Sequence, residues 1–204
     1  MDFTGALISI IVLIYSAILH EVAHGWVAYR LGDPTAKLKG RITLNPIPHI
    51  DPFMSILVPF VLIFSGAPII FGGAKPVPVD PFNLRDGHKD MAIVSLVGPL
   101  TNFALAIIAA ILIHAINPLG ILGEILSRIV FLNLILGIFN LIPIPPLDGS
   151  KVFSLLLPQK AAMTYLSIGS MGMFILLILL FLPGSPVMQI VYSLVIACLR
   201  LLGF

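Results

Sequence analysis

The chain has 204 residues, of which 59% are hydrophobic and 10% are charged, and its formal net charge at pH 7 is +2. A mean hydropathy of +1.12 excludes a water-soluble globular domain, because such a domain needs a much larger polar surface. The net charge is uninformative, but the sequence has no basic patch interleaved with aromatic residues that would indicate a nucleic-acid partner. We therefore expect an integral membrane protein in contact with the lipid bilayer.

Apolar segments nearly fill the chain. A transmembrane helix needs about 20 mainly apolar residues, and six segments approach or exceed that length, at residues 5–31, 53–71, 91–116, 124–142, 161–182 and 187–203. They predict an all-α polytopic membrane protein, a helical bundle in one domain over residues 1–204, with its core at 5–155 and additional C-terminal helices at 161–204. The first segment is expected to remain in the mature protein, because no basic stretch precedes it.

Inside the first apolar segment, residues 20–24 read His-Glu-Val-Ala-His, an H-E-x-x-H motif. Residues four apart share one face of a helix, so His20 and His24 can bind one metal ion, with Glu21 beside a water on that metal. A charged group at mid-bilayer costs about 2.5–3.5 kcal/mol on insertion scales, which argues against a chance occurrence. The alternative is a pair of interior histidines hydrogen-bonded to neighbouring helices, around a protonated glutamate.

After this segment, residues 37–44 alternate between polar and apolar side chains, a pattern typical of a β-strand. We expect a small juxtamembrane β-hairpin or sheet here, with residues 74–79 as the pairing partner. The alternative role for such a hairpin is to place its basic face against anionic lipid headgroups.

Basic residues predict the orientation. If the first helix runs inward and residues 53–71 do not cross, every Lys and Arg except Arg128 lies on one side, which the positive-inside rule makes the cytoplasm. We therefore predict about five spanning helices, with the proline-containing segment 53–71 re-entrant or shallow. This arrangement also keeps Asp148 on the same side of the membrane as His24. It predicts a multi-pass protein of the cell membrane whose active site lies toward the cytoplasmic side.

A third metal ligand is expected, because a zinc site in a hydrolase usually has three protein ligands and one open position. Asp148 follows the fourth apolar segment closely, after Pro143, Pro145 and Pro146, which prevent a continuous helix. Irregular backbone at membrane depth occurs only beside protein or a water-filled cavity. Asp148 is therefore a candidate ligand, although it can also cap the helix that begins at Gly149.

Three motifs, in this order, resemble the site-2 protease family of intramembrane zinc metalloproteases. They are H-E-x-x-H at 20–24, Gly-Pro-Leu-Thr-Asn at 98–102 and N-x-x-P-x-P-x-x-D-G at 140–149. Residues 73–79, Gly-Ala-Lys-Pro-Val-Pro-Val, resemble the compact bacterial branch, which lacks the PDZ and CBS domains of other branches. The resemblance covers most of residues 15–155.

The resemblance implies a zinc metalloendopeptidase that hydrolyses peptide bonds within or near transmembrane segments of membrane proteins, in regulated intramembrane proteolysis. It implies Zn²⁺ as the cofactor, with His20, His24 and Asp148 as the ligands. Glu21 would act as general base toward a zinc-bound water, the nucleophile. The chemistry of the sequence indicates the same four residues by itself.

The tetrahedral intermediate of such a reaction needs hydrogen-bond donors for its oxyanion, and neutral amides suit a lipid-buried site. Asn102 and Asn140 are therefore candidate catalytic residues, with interhelical hydrogen bonding as the alternative role for each. Gly98 and Pro99 are expected to serve close helix packing and a local bend. A helical substrate must be unwound before hydrolysis, so we expect the strand at 37–44 to accept it by strand addition.

Two other classes of protein remain open, a divalent-metal transporter and a catalytically silent scaffold that retains the zinc. A transporter should carry ionisable residues on several helices along a path. A scaffold has no need of Glu21, which is not a ligand. The sequence favours neither class.

Overall fold

A computed structural model of the chain describes residues 3–52, 57, 74–182 and 184–204. Within these ranges all long elements are helical, as predicted. Eight α-helices lie in them, α1 (Phe3–Arg30), α2 (Thr35–Leu38), α3 (Gly87–Ile116), α4 (Gly120–Asn140), α5 (Asp148–Ser154), α6 (Gln159–Ser167), α7 (Gly169–Phe181) and α8 (Pro186–Leu201), with short 3₁₀ helices at Ile47–His49 and Pro81–Asn83.

Helix α1 has two faces of different chemistry. At a rise of about 1.5 Å per residue it is about 42 Å long, more than the hydrocarbon core of a bilayer. Large apolar side chains such as Ile10, Ile11 and Ile14 are exposed on its outer face, where lipid would contact them. The inner face is buried at every fourth residue, at Ile8, Val12, Ser16, His20, His24 and Ala28. The motif histidines therefore continue the stripe that packs against the bundle.

Helices α3 and α4 form an antiparallel pair behind α1. They are joined by a short turn in which Asn117 adopts the left-handed conformation, at φ 45°. The Asn102 side chain bonds to Asn133, and one turn earlier in α3 the Pro99 carbonyl lies against Gly137, which fixes the antiparallel register. Their interface and α8 bury an apolar core formed by Ala106, Ala109, Ala110, Leu126, Val130, Leu134, Ile138, Val191 and Val195.

Three helices in the described part of the chain, α1, α3 and α4, are long and apolar enough to cross a membrane. Helices α6 and α7 pass the same test only as a pair, and they are bent by 67° at the break between them, as in a broken span or a re-entrant loop. Helix α8 is apolar but has only 16 residues. The prediction of about five spanning helices is therefore not confirmed, because a helix–turn–helix of this angle need not cross the bilayer.

The C-terminal end of α8 lies beside the C-terminal end of α3. His114 bonds through Nε2 to the Leu202 carbonyl at 2.7 Å. Arg200 therefore lies at the end of the bundle opposite Arg30, and its predicted position with the other basic residues is wrong. The reason is the path of α6 and α7, which the apolar pattern alone does not reveal.

The predicted strand at 37–44 is wrong. Residues 35–38 form α2, a bend follows, and no strand occurs among the described residues. Gly40 takes a left-handed φ of 63°, which interrupts an extended conformation. The alternation of side chains reflects a short helix and a turn, so the strand-addition role of this segment is not supported.

Residues 74–80 form an extended segment that passes alongside the C-terminal half of α1 without joining a sheet. The Lys75 N–H donates to the His49 carbonyl at 2.8 Å, and the Arg41 guanidinium donates to the Lys75 carbonyl at 2.6 Å. The described chain thus leaves and returns at the same end of the bundle. The predicted re-entrant or shallow segment 53–71 itself lies outside the described residues, apart from Leu57.

Asp33 joins the loop after α1 to the segment before α3. Its fully buried carboxylate accepts hydrogen bonds from the Thr35 N–H at 3.0 Å and the Asn83 amide at 3.1 Å through Oδ1, and from the Asp80 N–H at 2.7 Å through Oδ2. Burial alone would raise the pKa of Asp33, but the hydrogen bond from the Thr35 hydroxyl, together with the three above, outweighs it and lowers the pKa below its ordinary value of 3.8. The ionised carboxylate therefore stabilises this junction.

We predict that Asp33→Asn loosens the junction at neutral pH, because the substituted amide presents N–H groups to backbone donors. Leaving such buried groups unsatisfied costs about 1–3 kcal/mol. Amide hydrogen exchange at Thr35 and Asp80 should accelerate in the variant. In the unmodified protein the pKa is lower in the folded state, so the stabilisation is complete above the unfolded pKa near 3.8 and is lost as the pH falls through the folded value.

The control is Asp86→Asn, because Asp86 forms an exposed ion pair with Lys89. Exposed pairs contribute little, so this variant should exchange like the unmodified protein. Equal exchange in the Asp33 and Asp86 variants would contradict the role of Asp33.

Candidate metal centre

Helix α1 brings His20 and His24 to the same place at its inner face. Both imidazoles are buried, and their Nε2 atoms lie 2.9 Å apart. The rings meet edge to face, with centroids at 4.6 Å. This geometry follows from the four-residue spacing of the motif on a regular helix.

Asp148 reaches the histidines from the other side of the bundle. After α4 ends, the proline-rich loop turns the chain back, and Gly149 passes so close to the Leu141 carbonyl that a β-carbon would overlap it. Asp148 is the first residue of α5, where Leu147 holds the N-cap position without a side-chain cap. The capping alternative is therefore wrong, because the carboxylate points away from the helix end and toward His20 and His24.

The three donor atoms converge. Asp148 Oδ2 lies 3.1 Å from Nε2 of His20 and 3.1 Å from Nε2 of His24. Two ligands on a tetrahedral zinc ion, with bonds of about 2.0–2.1 Å, would lie about 3.3 Å apart. Among the residues that the structure describes, His20, His24 and Asp148 form the group of His, Cys, Asp or Glu side chains that could share a metal ion.

The chemistry of the donor set also fits a cation. His24 Nδ1 lies 2.6 Å from the Val94 backbone carbonyl, which can only accept a hydrogen bond, so Nδ1 carries the proton and Nε2 presents a lone pair. That lone pair faces a carboxylate oxygen and a second imidazole nitrogen. A bound cation satisfies all three, and zinc prefers this combination of nitrogen and oxygen ligands.

Glu21 lies beside the metal donors but is not one of them. Its Oε2 accepts a hydrogen bond from the Val77 N–H at 2.7 Å, so the extended segment 74–80 lies directly over the centre. Glu21 and the three donors line a cavity of about 360 Å³. Lys151 stands at the edge of this cavity, with Nζ 3.4 Å from Asp148 Oδ1.

The two candidate asparagines occupy different places. Asn140 lines the cavity, and its amide donates to the Leu136 carbonyl at 2.9 Å. Asn102 is fully buried behind His20, with Oδ1 at 2.6 Å from His20 Nδ1 and Nδ2 donating to Asn133 at 2.8 Å. Its amide thus faces the ring nitrogen turned away from the metal donors, which does not suit the predicted oxyanion role.

Sequence reasoning missed two features of the centre. One is the Val77 backbone contact with Glu21, for which a sequence carries no signal. The other is Gly98, whose spacing of four from Asn102 places it on the same face of α3. A β-carbon at Gly98 would lie 2.5 Å from His24 Cε1 and 2.6 Å from His20 Cε1. Gly98 therefore makes room for both imidazoles, beyond the helix packing expected of it.

We predict that Gly98→Ala lowers metal affinity severely, because the pinned imidazoles cannot both avoid the methyl group. A misplacement of about 1 Å also lowers turnover about 100-fold. Metal content of purified protein after dialysis against a weak chelator measures the effect. The control is Gly137→Ala in the same helix pair, because the atoms nearest its new methyl group belong to the Phe103 ring and the Pro99 carbonyl, at 3.2–3.3 Å, and not to a metal ligand. Full metal content in the Gly98 variant would refute this role.

Comparison with known proteins indicates a metalloprotease, the class of enzyme for which such a metal centre is expected. Residues 119–182 match the model of Peptidase family M50. The chain is 38% identical over 189 residues to "Putative zinc metalloprotease YwhC" of Bacillus subtilis (strain 168), covering 88% of this chain and 83% of that protein. It is 29% identical over 187 residues to "Putative zinc metalloprotease Rip2" of Mycolicibacterium smegmatis, covering 90% of this chain and 71% of that protein.

A similar relation extends to an archaeon. "Putative zinc metalloprotease MJ0611" of Methanocaldococcus jannaschii is 33% identical over 147 residues, covering 72% of this chain and 69% of that protein. No solved structure matches the chain. The similarity to YwhC covers more than four fifths of both chains, and the described site groups two histidines and an aspartate that could hold a metal ion. The chain belongs to peptidase family M50, the site-2 protease family of membrane zinc metalloproteases.

Proposed function

We propose that this metalloprotease cleaves peptide bonds within or near transmembrane segments of other membrane proteins. The observation that carries the proposal is the position of the metal donors inside a spanning helix. His20 precedes the end of α1 at Arg30 by about 15 Å along the helix axis, so the donors lie well inside a helix about 42 Å long. A substrate peptide bond must reach that depth, and a transmembrane segment is already there.

The walls of the cavity suit such a substrate. Val77 and Val79 cover it, while Met91, Val94 and Leu147 line its sides. These apolar side chains match the apolar residues of a transmembrane segment. The polar groups are confined to the donor set, Glu21 and a few neighbours, so the cavity can admit water where hydrolysis takes place.

His20, His24 and Asp148 would hold the zinc. Zinc, when bound, supplies a Lewis acid that polarises a peptide carbonyl and lowers the pKa of water to about 7. Glu21 takes one proton from the attacking water and returns it to the leaving amine as the C–O bond forms and the C–N bond breaks. Its carboxylate is placed for this role because it lines the same cavity without belonging to the donor set.

Asn140 is the better candidate for the oxyanion. It lines the cavity, and its side-chain amide has two N–H groups, of which one suffices for the Leu136 carbonyl. Asn102 instead has its amide engaged with His20 and Asn133. We therefore assign Asn140 to the intermediate and Asn102 to the orientation of His20.

We predict that Glu21→Gln abolishes cleavage of a single-pass membrane segment in detergent and retains zinc, because the amide cannot take a proton. Asn140→Leu should also retain zinc and should lower kcat by about 10²–10³, as expected for loss of one oxyanion donor. Zinc content and cleavage are measured on the same preparations.

The same measurements of zinc content and cleavage also distinguish a protease from a catalytically silent scaffold. Zinc retained with undiminished cleavage in Glu21→Gln would refute the base role of Glu21. A protein that binds zinc and cleaves none of a panel of membrane segments would favour the scaffold instead.

We further propose that the metal centre lies toward the cytoplasmic side. The inner end of α1 and the loops beside it carry Arg30, Lys37, Lys39 and Arg41, whereas the described turn between α3 and α4 carries no Lys or Arg. The excess of positive charge at the end nearer the histidines supports this orientation.

We expect Lys39→Cys to react with a membrane-impermeant thiol reagent only in opened cells, and Leu119→Cys, in the turn between α3 and α4, to react in intact cells. Both side chains are exposed. The native Cys198 is first replaced by Ala. The opposite labelling pattern would reverse the orientation.

A further inference from the structure

Behind the metal centre, a line of buried polar side chains connects three helices. His20 and Ser16 come from α1, Asn102 from α3 and Asn133 from α4. Asn102 and Asn133 are fully buried, and Ser16 is 4% exposed. Polar groups at this depth are costly to leave unpaired, and each of these side chains has a hydrogen-bond partner.

The direction of the hydrogen bonds is set at one end of this line. Asn133 Nδ2 lies 2.9 Å from the Ile129 backbone carbonyl, and a carbonyl can only accept. The amino group of Asn133 must therefore face Ile129, and it also donates to Ser16 Oγ at 2.8 Å. This orientation leaves Asn133 Oδ1 toward Asn102.

The orientation of Asn133 also determines which end of the Asn102 amide faces His20. Asn133 Oδ1 accepts from Asn102 Nδ2 at 2.8 Å, so the Asn102 carbonyl oxygen faces His20 Nδ1 at 2.6 Å. That oxygen accepts a hydrogen bond from Nδ1–H, so the proton stays on Nδ1. His20 Nε2 is then left with a lone pair, directed at His24 and Asp148, which is the state a metal ligand needs.

The two histidines are oriented by different means. His24 donates to a backbone carbonyl, that of Val94, which has one possible role. His20 instead faces a side-chain amide, which would present N–H groups if it rotated by half a turn. A rotated Asn102 would stabilise the His20 tautomer with its proton on Nε2. That tautomer has no lone pair on Nε2, the nitrogen that faces the other metal donors. Something must therefore hold the Asn102 amide, and Asn133 is in contact with it.

We propose that Asn133 is a positioning residue of the metal centre, which acts through Asn102 to hold His20 in its metal-binding tautomer. The inference rests on the metal centre of the proposed function. Asn133 touches neither the cavity nor the donor atoms. The Ile129 carbonyl fixes the orientation of the Asn133 amide. Asn133 in turn fixes the orientation of the Asn102 amide, which sets the tautomer of His20.

A double-mutant cycle tests the proposal. Zinc affinity of the purified full chain in detergent is measured by competition with a chelator for Asn133→Leu, Asn102→Leu and the double variant. We expect each single variant to weaken zinc binding about 10–100-fold, as for other groups behind metal ligands. Because Asn133 acts through Asn102, the double variant should bind no more weakly than Asn102→Leu alone.

Two further variants separate positioning from packing. Asn133→Asp has the same shape, and as a neutral acid in this buried site it can donate to Ile129 and accept from Asn102, so zinc affinity should stay near that of the unmodified protein. Ser16→Ala removes one acceptor but leaves Ile129, so it should have little effect. Nitrogen-15 spectra of the metal-free protein should show the His20 proton moving from Nδ1 toward Nε2 in Asn133→Leu. The spectra of Asn133→Asp and Ser16→Ala should show no such change.

Unchanged zinc affinity in Asn133→Leu would overturn the proposal while leaving the protease function intact. Losses that multiply in the double variant, or equal losses in the Leu and Asp variants, would assign Asn133 to helix packing and overturn it too. An unmodified protein that binds no zinc would overturn both this proposal and the proposed function.

Discussion

The site depends on holding three lone-pair donors within about 3 Å of one another inside an apolar bundle. When both imidazoles are neutral, such an arrangement is repulsive unless the three atoms share a cation, because His24 Nε2 and the Asp148 carboxylate both present electron pairs. A zinc ion makes it favourable only if the ligands are already oriented, since little water is available to compensate for misplacement. Much of the surrounding structure is explained by this requirement.

On the side of α3, a glycine, a backbone carbonyl and an asparagine position the two histidine ligands. Gly98 leaves room for the two imidazoles, and the Val94 carbonyl orients His24 from one turn away. Asn102, one turn on in the other direction, orients His20. A single helical stripe thus supplies the space and both hydrogen bonds. Gly98 and Asn102, the first and last residues of the motif at 98–102, therefore serve the metal centre as well as helix packing.

On the side of Glu21, the extended segment 74–80 connects the centre to the loops that follow α1. It is held at Lys75 by His49 and Arg41, at Val77 by Glu21 and at Asp80 by Asp33. Pro76 and Pro78 have no N–H, so between residues 75 and 79 the backbone has donors only at alternate residues. The strand pairing expected from the sequence is replaced by these separate contacts, which depend on groups far apart in the chain.

The sequence by itself determined the membrane class, the helical character of the long apolar segments and the residues of the metal centre, because helical periodicity and ligand chemistry are local properties. Tertiary structure decided the rest. The alternation at 37–44 was outweighed by the turn at Gly40 and by the hydrogen bonds of Asp33, and the direction of α8 depends on a bend between α6 and α7. The contact of Asn102 with His20 was also decided by the tertiary structure, because an amide has two ends, and only its neighbours in space decide which end faces the histidine.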